Sequence, residues 1–328
     1  MSSSALAESQ YVGTTLDWKQ IALTFDDGPG TRTLELSAYL KDEGIQAVFF
    51  VVGTAVSSHS AVVAQIAADG HLVANHTQNH LDLTSTAFFP LGQAGDARIV
   101  SALADADALI APYVSHGRFL FRAPFGAWND RDYAVLHSSA MDKYVGPIRW
   151  DIGGQRTSTT AADWACWQEA PTLTTKACGD LYLSEIGIVG RGISLMHDVD
   201  NGDIDNHSLT GGVGNTVDMV KYLAPILKTR GYTFVRADAV PAIDADLPPW
   251  QQPVDAGADA SVEAEAGATA DAGSVDAGPA VDAADDGDLT PDATGPSPPA
   301  SGVAPSPASP APANPCVVGT SKRQARAH

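Results

Sequence analysis

Two groups of acidic and imidazole side chains could together bind a metal ion. Asp26 and Asp27 end an apolar run that begins at Ile21, and a Gly-Pro turn follows them. His76 and His80 lie farther along the chain, and their i, i+4 spacing predicts one helical turn that directs both imidazoles to one point. One carboxylate with two imidazoles is the ligand set of a catalytic zinc that keeps one position open. The second carboxylate is then available for proton transfer.

Each group alone also has a purely structural interpretation. The acidic pair before Gly28 and Pro29 could form only a turn with a helix N-cap. Histidines four residues apart on a surface helix are often incidental. The two groups together favour a metal site, because a catalytic zinc requires this combination of ligands.

Two further residues could complete such a site. Arg122 ends an apolar run that begins at Phe119 and is followed by Ala-Pro-Phe-Gly. Either a proline-terminated strand leaves Arg122 exposed, or Arg122 points inward to a carboxylate while the turn presents a backbone N–H to the metal. His197 directly follows the apolar run that begins at Ile193. A lone histidine there is more often structural, but opposite a metal site it is a candidate general acid.

These residues can form one site only if strands and helices bring them together. The chain alternates short β-rich runs with longer helical patterns. This order predicts a parallel sheet, and about seven strands without a dinucleotide-binding glycine pattern favour closure into a barrel. Gly44, Gly70 and Gly231 follow three of the helical windows, at the position where a left-handed backbone favours glycine. The predicted strands are 21–25, 47–52, 71–75, 119–122, 148–152, 192–196 and 233–236, and the predicted helices are 33–43, 61–69, 96–110, 129–138 and 216–230.

The candidate residues share one position relative to these strands. In parallel α/β folds the chemistry gathers at the C-terminal ends of the strands. Asp26 and Asp27 follow the first predicted strand, His76 and His80 the third, and Arg122, Asp151 and His197 lie at the ends of the fourth, fifth and sixth. The sequence therefore predicts one shared site.

Composition divides the chain into one domain and a tail. Residues 251–328 contain no Phe, Tyr or Trp and consist mainly of Ala, Asp, Gly, Pro and Ser, which predicts a solvated, disordered segment. The net charge is −20; this tail has 11 acidic and three basic side chains, so it carries −8 and residues 1–250 carry −12. Nucleic acid is excluded as a partner, because phosphate binding needs a basic surface. We expect an N-terminal segment at 1–19, a catalytic domain at 20–245 and the tail at 246–328.

The cysteines bear on the compartment in which the protein works. Cys166 and Cys178 lie close together in a loop-like stretch and could form a disulfide, or they could be two free thiols in a reduced protein. Cys316 in the tail has no evident partner. The sequence has neither a run of ~20 apolar residues that could span a membrane nor the pattern of a signal peptide. The disulfide and the tail nevertheless predict a secreted or cell-surface protein.

Five ordered segments resemble the motifs of the polysaccharide deacetylases, the NodB-homology group also described as carbohydrate esterase family 4. The resemblance covers about residues 20–240. It implies a distorted (β/α) barrel and metal-dependent removal of acetyl groups from sugars. The segments are Thr24-Phe-Asp-Asp-Gly-Pro29, His76-Thr-Gln-Asn-His80, Arg122-Ala-Pro-Phe-Gly126, Asp163-Trp164 and Leu195-Met-His-Asp198.

The resemblance also implies a role for each matching residue. Asp26 is the catalytic base, and Arg122 orients it. Asp27, His76 and His80 hold a divalent metal, Zn²⁺ in the first place with Co²⁺ as the alternative. The acid is His197, Leu195 lines the acetyl pocket, Trp164 contacts the substrate and the backbone N–H of Phe125 binds the oxyanion.

Two features depart from the pattern of this family. The family usually has Tyr where this chain has Phe125, a change that leaves the backbone N–H in place. A Gly- and Thr-rich insertion separates Trp150-Asp151 from Asp163-Trp164. Either Asp163 or Asp151 could therefore be the carboxylate that tunes His197, and we favour Asp163.

The resulting hypothesis is a monomeric hydrolase acting on an acetylated polysaccharide, namely an N-acetylglucosamine polymer such as chitin or peptidoglycan. An O-acetyl esterase acting on acetylated xylan is an alternative, because the same site can attack an ester. Another is a catalytically silent glycan-binding module of the cell surface, against which the intact set of acids and histidines argues.

Overall fold

The computed structural model describes residues 10–168, 170, 173–199 and 216–249. These residues belong to one compact unit, residues 1–260. The predicted tail beyond residue 249 and the first nine residues lie outside the described ranges. The elements are β1 Gln20–Asp26, α1 Thr33–Asp42, β2 Val48–Val51, α2 Gly53–Ser58, α3 Ser60–Ala68, β3 Leu72–Asn75, α4 Gln93–Ile110, α5 Asp130–His137, α6 Asp163–Gln168, α7 Thr175–Val189, β4 Gly192–His197, α8 Thr216–Thr229, β5 Thr233–Phe234 and α9 Pro241–Asp244.

The strands form one parallel sheet whose pairings return to their starting point. The main path runs β3-β2-β1-β4, and β5 pairs with the beginning of β1. Single parallel bridges join Asn75 of β3 to Phe121, Leu120 to Val145, and Ile152 to Ser194 of β4. Because residues 145–152 are one continuous segment, this circuit closes the sheet into a distorted barrel, as the sequence predicted.

The predicted strands and helices agree with the structure in different degrees. Five predicted strands are present, whereas 119–122 and 148–152 contribute only isolated bridges. All five predicted helices occur within three residues of their predicted ends. Helices α2, α6, α7 and α9 were not predicted. In α7, Gly179 lowers helix propensity but permits close packing, because a Cβ there would lie 2.7 Å from the ring of Tyr222.

Side chains alternate along β1 between two apolar clusters. Ile21, Leu23 and Phe25 point outward and pack with α1, α3, α7 and α8. The intervening residues point into the barrel, where Ala22 joins a second cluster with Val48 and other inward residues. Thr24 and Asp26 share this inward face at the C-terminal end of the strand. A buried polar site thus begins where the interior cluster ends.

The pairing of Cys166 with Cys178 is confirmed. The two sulfur atoms are 2.02 Å apart, and the bond joins α6 to α7, so the cysteines lie in helices and not in the predicted loop. Across the part of the chain that the structure describes, we find no helix with the length and apolar character needed to cross a bilayer.

Candidate functional site

The inward end of β1 carries a buried ion pair. Arg122 Nη1 donates to Asp26 Oδ1 at 2.5 Å and to Thr24 Oγ1 at 2.8 Å, and its Nε donates to the carbonyl of Ile148 at 2.9 Å. The Arg122 side chain is 1% exposed and lies over the ring of Phe50, 4.1 Å from its centroid. Of the two interpretations that the sequence allowed for Arg122, the structure therefore has the inward one.

Asp27 turns away from Asp26 because the strand ends between them. Its backbone has a left-handed φ of 76°, and its N–H donates to the carbonyl of Phe50 at 3.1 Å. This turn brings its Oδ1 to 3.3 Å from His76 Nε2 and 3.2 Å from His80 Nε2. Ligand atoms from Asp27 and the two histidines all lie within 4.8 Å of one another.

The two histidines lie on a loop after β3, and the predicted helical turn is wrong. Thr77 and His80 have left-handed φ angles of 69° and 51°, which a helix does not allow. Instead, Asn75 Oδ1 accepts the N–H of Thr77 at 2.8 Å, and Thr77 Oγ1 accepts the N–H of His80 at 3.1 Å. These side-chain bonds replace helical bonds and bring the imidazole planes together, with ring centroids 4.9 Å apart.

The donor atoms of this loop and of Asp27 fit a divalent cation. His76 Nδ1 is 2.8 Å from the carbonyl of Arg122, which can only accept, so Nδ1 carries the proton and Nε2 of the neutral ring has the lone pair. That lone pair faces Asp27 Oδ1, a buried oxygen that accepts no hydrogen bond. Burial raises the pKa of Asp27, but the surrounding imidazoles outweigh it and hold the pKa below its usual value. One anionic oxygen with two imidazole nitrogens suits Zn²⁺.

His197 faces the same carboxylate from β4. Its Nε2 lies 4.0 Å from Asp27 Oδ2, and its Nδ1 lies 2.8 Å from Oδ1 of Asp163, whose side chain is 0% exposed. Asp163 Oδ2 also accepts the backbone N–H of His197 at 2.7 Å. Burial lowers the pKa of His197, but the carboxylates, first Asp163, outweigh it and raise the pKa to about 10. The carboxylates around His197 therefore favour the protonated form of its imidazole.

Comparisons with known proteins identify the family. The family model described as polysaccharide deacetylase matches residues 13–142. A chitooligosaccharide deacetylase of Rhizobium leguminosarum bv. trifolii is 31% identical over 221 residues, which make up 66% of this chain and 89% of that protein. The chain belongs to the polysaccharide deacetylase family.

Other polysaccharide deacetylases agree with this assignment. A peptidoglycan-N-acetylglucosamine deacetylase of Bacillus cereus is 33% identical over 220 residues, covering 66% of this chain and 85% of the relative. The solved structure of Bacillus subtilis PdaA, a family 4 carbohydrate esterase, has a TM-score of 0.54 at 20% identity and covers 72% of this chain and 87% of that one. At that identity the likeness concerns the fold.

Three motif residues that were predicted to contact the substrate differ in their exposure. Phe125 is in a short 3₁₀ turn with a left-handed φ of 59°, and its side chain is 60% exposed. Its ring lies over His80, with centroids 4.5 Å apart. Leu195 of β4 is buried beside Thr24 of β1. Trp164 is half-buried and donates its backbone N–H to Asp163; its contact with a substrate stays a prediction, as do those of Phe125 and Leu195.

The prediction that Asp151 shares this site is wrong. Its Oδ2 accepts the backbone N–H of Gly13 at 2.7 Å and that of Ile193 at 2.9 Å. Ile193 lies near the beginning of β4, whereas His197 ends that strand. Asp151 thus links Gly13, which precedes β1, to the beginning of β4, at the end of the barrel opposite the site. The carboxylate that contacts His197 is that of Asp163.

Sequence reasoning missed several polar residues that contact the residues of this site. Thr24 could have been found, because it alternates with Asp26 on the inward face of β1. Tyr182 of α7 accepts the N–H of Asp163 at 3.1 Å and donates to the carbonyl of Leu195 at 2.8 Å. Thr216 of α8 donates to Asp163 Oδ2 at 2.8 Å. No local pattern marks the last two, because helix packing alone brings them to the site.

Proposed function

We propose that the chain is a metal-dependent hydrolase that removes acetyl groups from N-acetylglucosamine polymers. The observation that carries the proposal is the position of a base and an acid around one ligand set. Asp26 Oδ2 lies 3.6 Å from His76 Nε2, and His197 Nε2 lies 4.0 Å from Asp27 Oδ2. Hydrolysis of an amide needs both groups, one to take a proton from water and one to protonate the amine.

In this proposal Asp27, His76 and His80 hold the metal, for which Zn²⁺ is the first candidate. Such an ion supplies Lewis-acid chemistry, lowering the pKa of a water molecule from 15.7 to about 7 and polarising the acetyl carbonyl. Asp26 then accepts the proton of the attacking water. Because Arg122 already binds Oδ1 of Asp26, the other oxygen, Oδ2, accepts that proton.

His197 completes the reaction by protonating the leaving amine, which cannot depart as an anion. Asp163 binds its Nδ1, so Nε2 is the atom that donates. The negative charge that develops on the acetyl oxygen is stabilised by the N–H of Phe125, and one such donor is typically worth about 3–4 kcal/mol. The left-handed backbone of Phe125 presents this N–H at a tight turn.

The substrate class follows from the relatives, whose names specify chitooligosaccharide and peptidoglycan N-acetylglucosamine deacetylation. Both are polymers with N-acetylglucosamine units, so we propose that unit as the target. The disulfide supports an oxidising compartment, and we therefore propose that the protein is secreted or displayed on the cell surface.

The decisive experiment measures acetate release from chitin oligomers, peptidoglycan and acetylated xylan, with chelator and after addition of Zn²⁺ or Co²⁺. We expect release from one or both N-acetylated polymers, loss with chelator and recovery with metal. Release only from acetylated xylan would replace the amidase with an O-acetyl esterase. No release under any condition would favour a silent glycan-binding module.

Single variants test the ligand assignment. Asp27→Ala, His76→Ala and His80→Ala should each lose bound zinc and activity together, whereas the control His59→Ala, at an exposed histidine, should keep both. Asp26→Asn should keep zinc and lose turnover. Stoichiometric zinc in all three ligand variants would contradict the metal site, and full activity of Asp26→Asn would contradict the base.

A further inference from the structure

The carboxylate of Asp163 is held by four hydrogen bonds in a site closed to solvent. Its Oδ1 accepts from His197 Nδ1 and from the N–H of Trp164, both at 2.8 Å. Its Oδ2 accepts from the N–H of His197 at 2.7 Å and from Thr216 Oγ1 at 2.8 Å. Among the residues that the structure describes, Thr216 provides the only side-chain donor to Oδ2, the oxygen that does not bind the His197 ring.

The direction of the Thr216 hydrogen bond is fixed by a second residue, Trp167. The indole Nε1 can only donate, and it lies 3.0 Å from Thr216 Oγ1. The hydroxyl therefore accepts from Trp167 and donates its own proton to Asp163, which as a carboxylate can only accept. Both Thr216 and Trp167 are 4% exposed, so water does not compete for these bonds.

The hydrogen bonds from Trp167 to Thr216 and from Thr216 to Asp163 join two helices beside His197. Trp167 and Asp163 lie on α6, and Thr216 begins α8. The backbone of α6 has independent anchors, namely the disulfide at Cys166 and the bond from the Asp163 N–H to Tyr182. Loss of the Thr216 hydroxyl therefore leaves α6 in place and removes one of the four hydrogen bonds that fix the orientation of the Asp163 carboxylate.

We propose that Thr216, with its hydroxyl oriented by Trp167, is a positioning residue that keeps Asp163 aligned with the imidazole of His197 for the acid step. The inference rests on the proposed role of His197 in deacetylation. Thr216 and Trp167 are buried, so in this proposal they act through Asp163 and not by contact with the substrate. Their effect is on protonation of the leaving amine, so it should depend on the leaving group.

The kinetic test compares Thr216→Val, which removes the hydroxyl at nearly constant volume, with Thr216→Ser, which keeps it. For acetate release from N-acetylglucosamine oligomers by the zinc-loaded enzyme, we expect Thr216→Val to lower kcat about tenfold, as for a lost hydrogen bond to a charged group. KM should stay unchanged. Thr216→Ser should stay within about twofold of the parent. On an activated aryl acetate, Thr216→Val should lose less than about twofold, because a good leaving group needs little protonation.

A spectroscopic test does not depend on turnover. The proton on His197 Nδ1, shared with Asp163, should give a downfield NMR signal that Thr216→Val and Trp167→Phe shift and Thr216→Ser preserves. The inference would be overturned if Thr216→Val kept the parent kcat, or if Thr216→Val and Thr216→Ser lost kcat equally. It would also be overturned if Thr216→Val lost kcat equally on the amide substrate and on the aryl acetate. If the parent itself releases no acetate, the proposed function fails, and an unshifted signal in Thr216→Val would still refute the contact separately.

Discussion

Replacing Arg122 by methionine should cost much of the stability of the fold. Arg122 is 1% exposed and its partner Asp26 is 4% exposed, and their N–O distance is 2.5 Å. Removing one member of a buried pair leaves an uncompensated charge, which typically costs about 3–5 kcal/mol. Arg122→Met also removes the donors to Thr24 and to the carbonyl of Ile148. We therefore expect the upper half of that range.

Urea denaturation in the presence of chelator measures this effect without a contribution from bound metal. The partner variant Asp26→Asn and the double variant complete a thermodynamic cycle. Because a neutral amide needs no cation beside it, Arg122→Met should cost less when Asp26 is already Asn. The coupling between the two positions should reach about 2 kcal/mol.

A matched control is available on the surface. Arg32 pairs with Asp218 at 2.8 Å and Glu35 at 2.7 Å, but all three side chains are at least 29% exposed. Exposed pairs typically contribute about 0–1 kcal/mol, so Arg32→Met should have a small effect. Equal losses for Arg32→Met and Arg122→Met, or strict additivity in the cycle, would refute the account of the buried pair.

Three other predictions concern the frame of the site. Replacing Cys166 and Cys178 by serine removes a disulfide between residues 12 positions apart and should lower the free energy of unfolding, measured by urea denaturation, by about 3 kcal/mol. A loss under about 1 kcal/mol would contradict this prediction. The raised pKa of His197 stabilises the fold fully below about pH 6.5, and this contribution should disappear as the pH approaches about 10. In chelated protein Asp163→Asn should flatten that pH dependence, and an unchanged profile would argue against the pair. A chain ending at Trp250 should keep the parent kcat for acetate release. A lower kcat in this truncated chain would show that the tail contributes to catalysis.

Much of the site could be predicted because the ends of buried strands can be recognised in a sequence. An apolar run that stops at charged residues marks the end of a buried strand, and parallel strands bring such ends to one edge. Asp26, Asp27, His76 and His197 meet for this reason. The inward direction of Arg122 did not follow from its own segment. It is explained by the alternation of side chains along β1, which places two acceptors, Thr24 and Asp26, opposite Arg122.

The errors have physical causes that a local pattern does not contain. The spacing of His76 and His80 suits a helix, but bonds from Asn75 and Thr77 favour a loop that reaches the same end by another path. Asp151 also ends a predicted strand, yet its partners lie at the opposite end of the barrel. Thr216 reaches Asp163 only through the packing of α8, which is a contact between distant parts of the chain.

The left-handed backbone at Asp27, Thr77, His80 and Phe125 has a consequence for engineering this protein. Among the described residues, six that are not glycine have a positive φ, and these four belong to the site. Each such conformation costs an L-amino acid about 1–2 kcal/mol. A selection for heat resistance alone would therefore favour glycine at Asp27 and His80, where it would delete two of the proposed metal ligands. Directed evolution of a thermostable variant should hold these codons constant and seek its gains elsewhere.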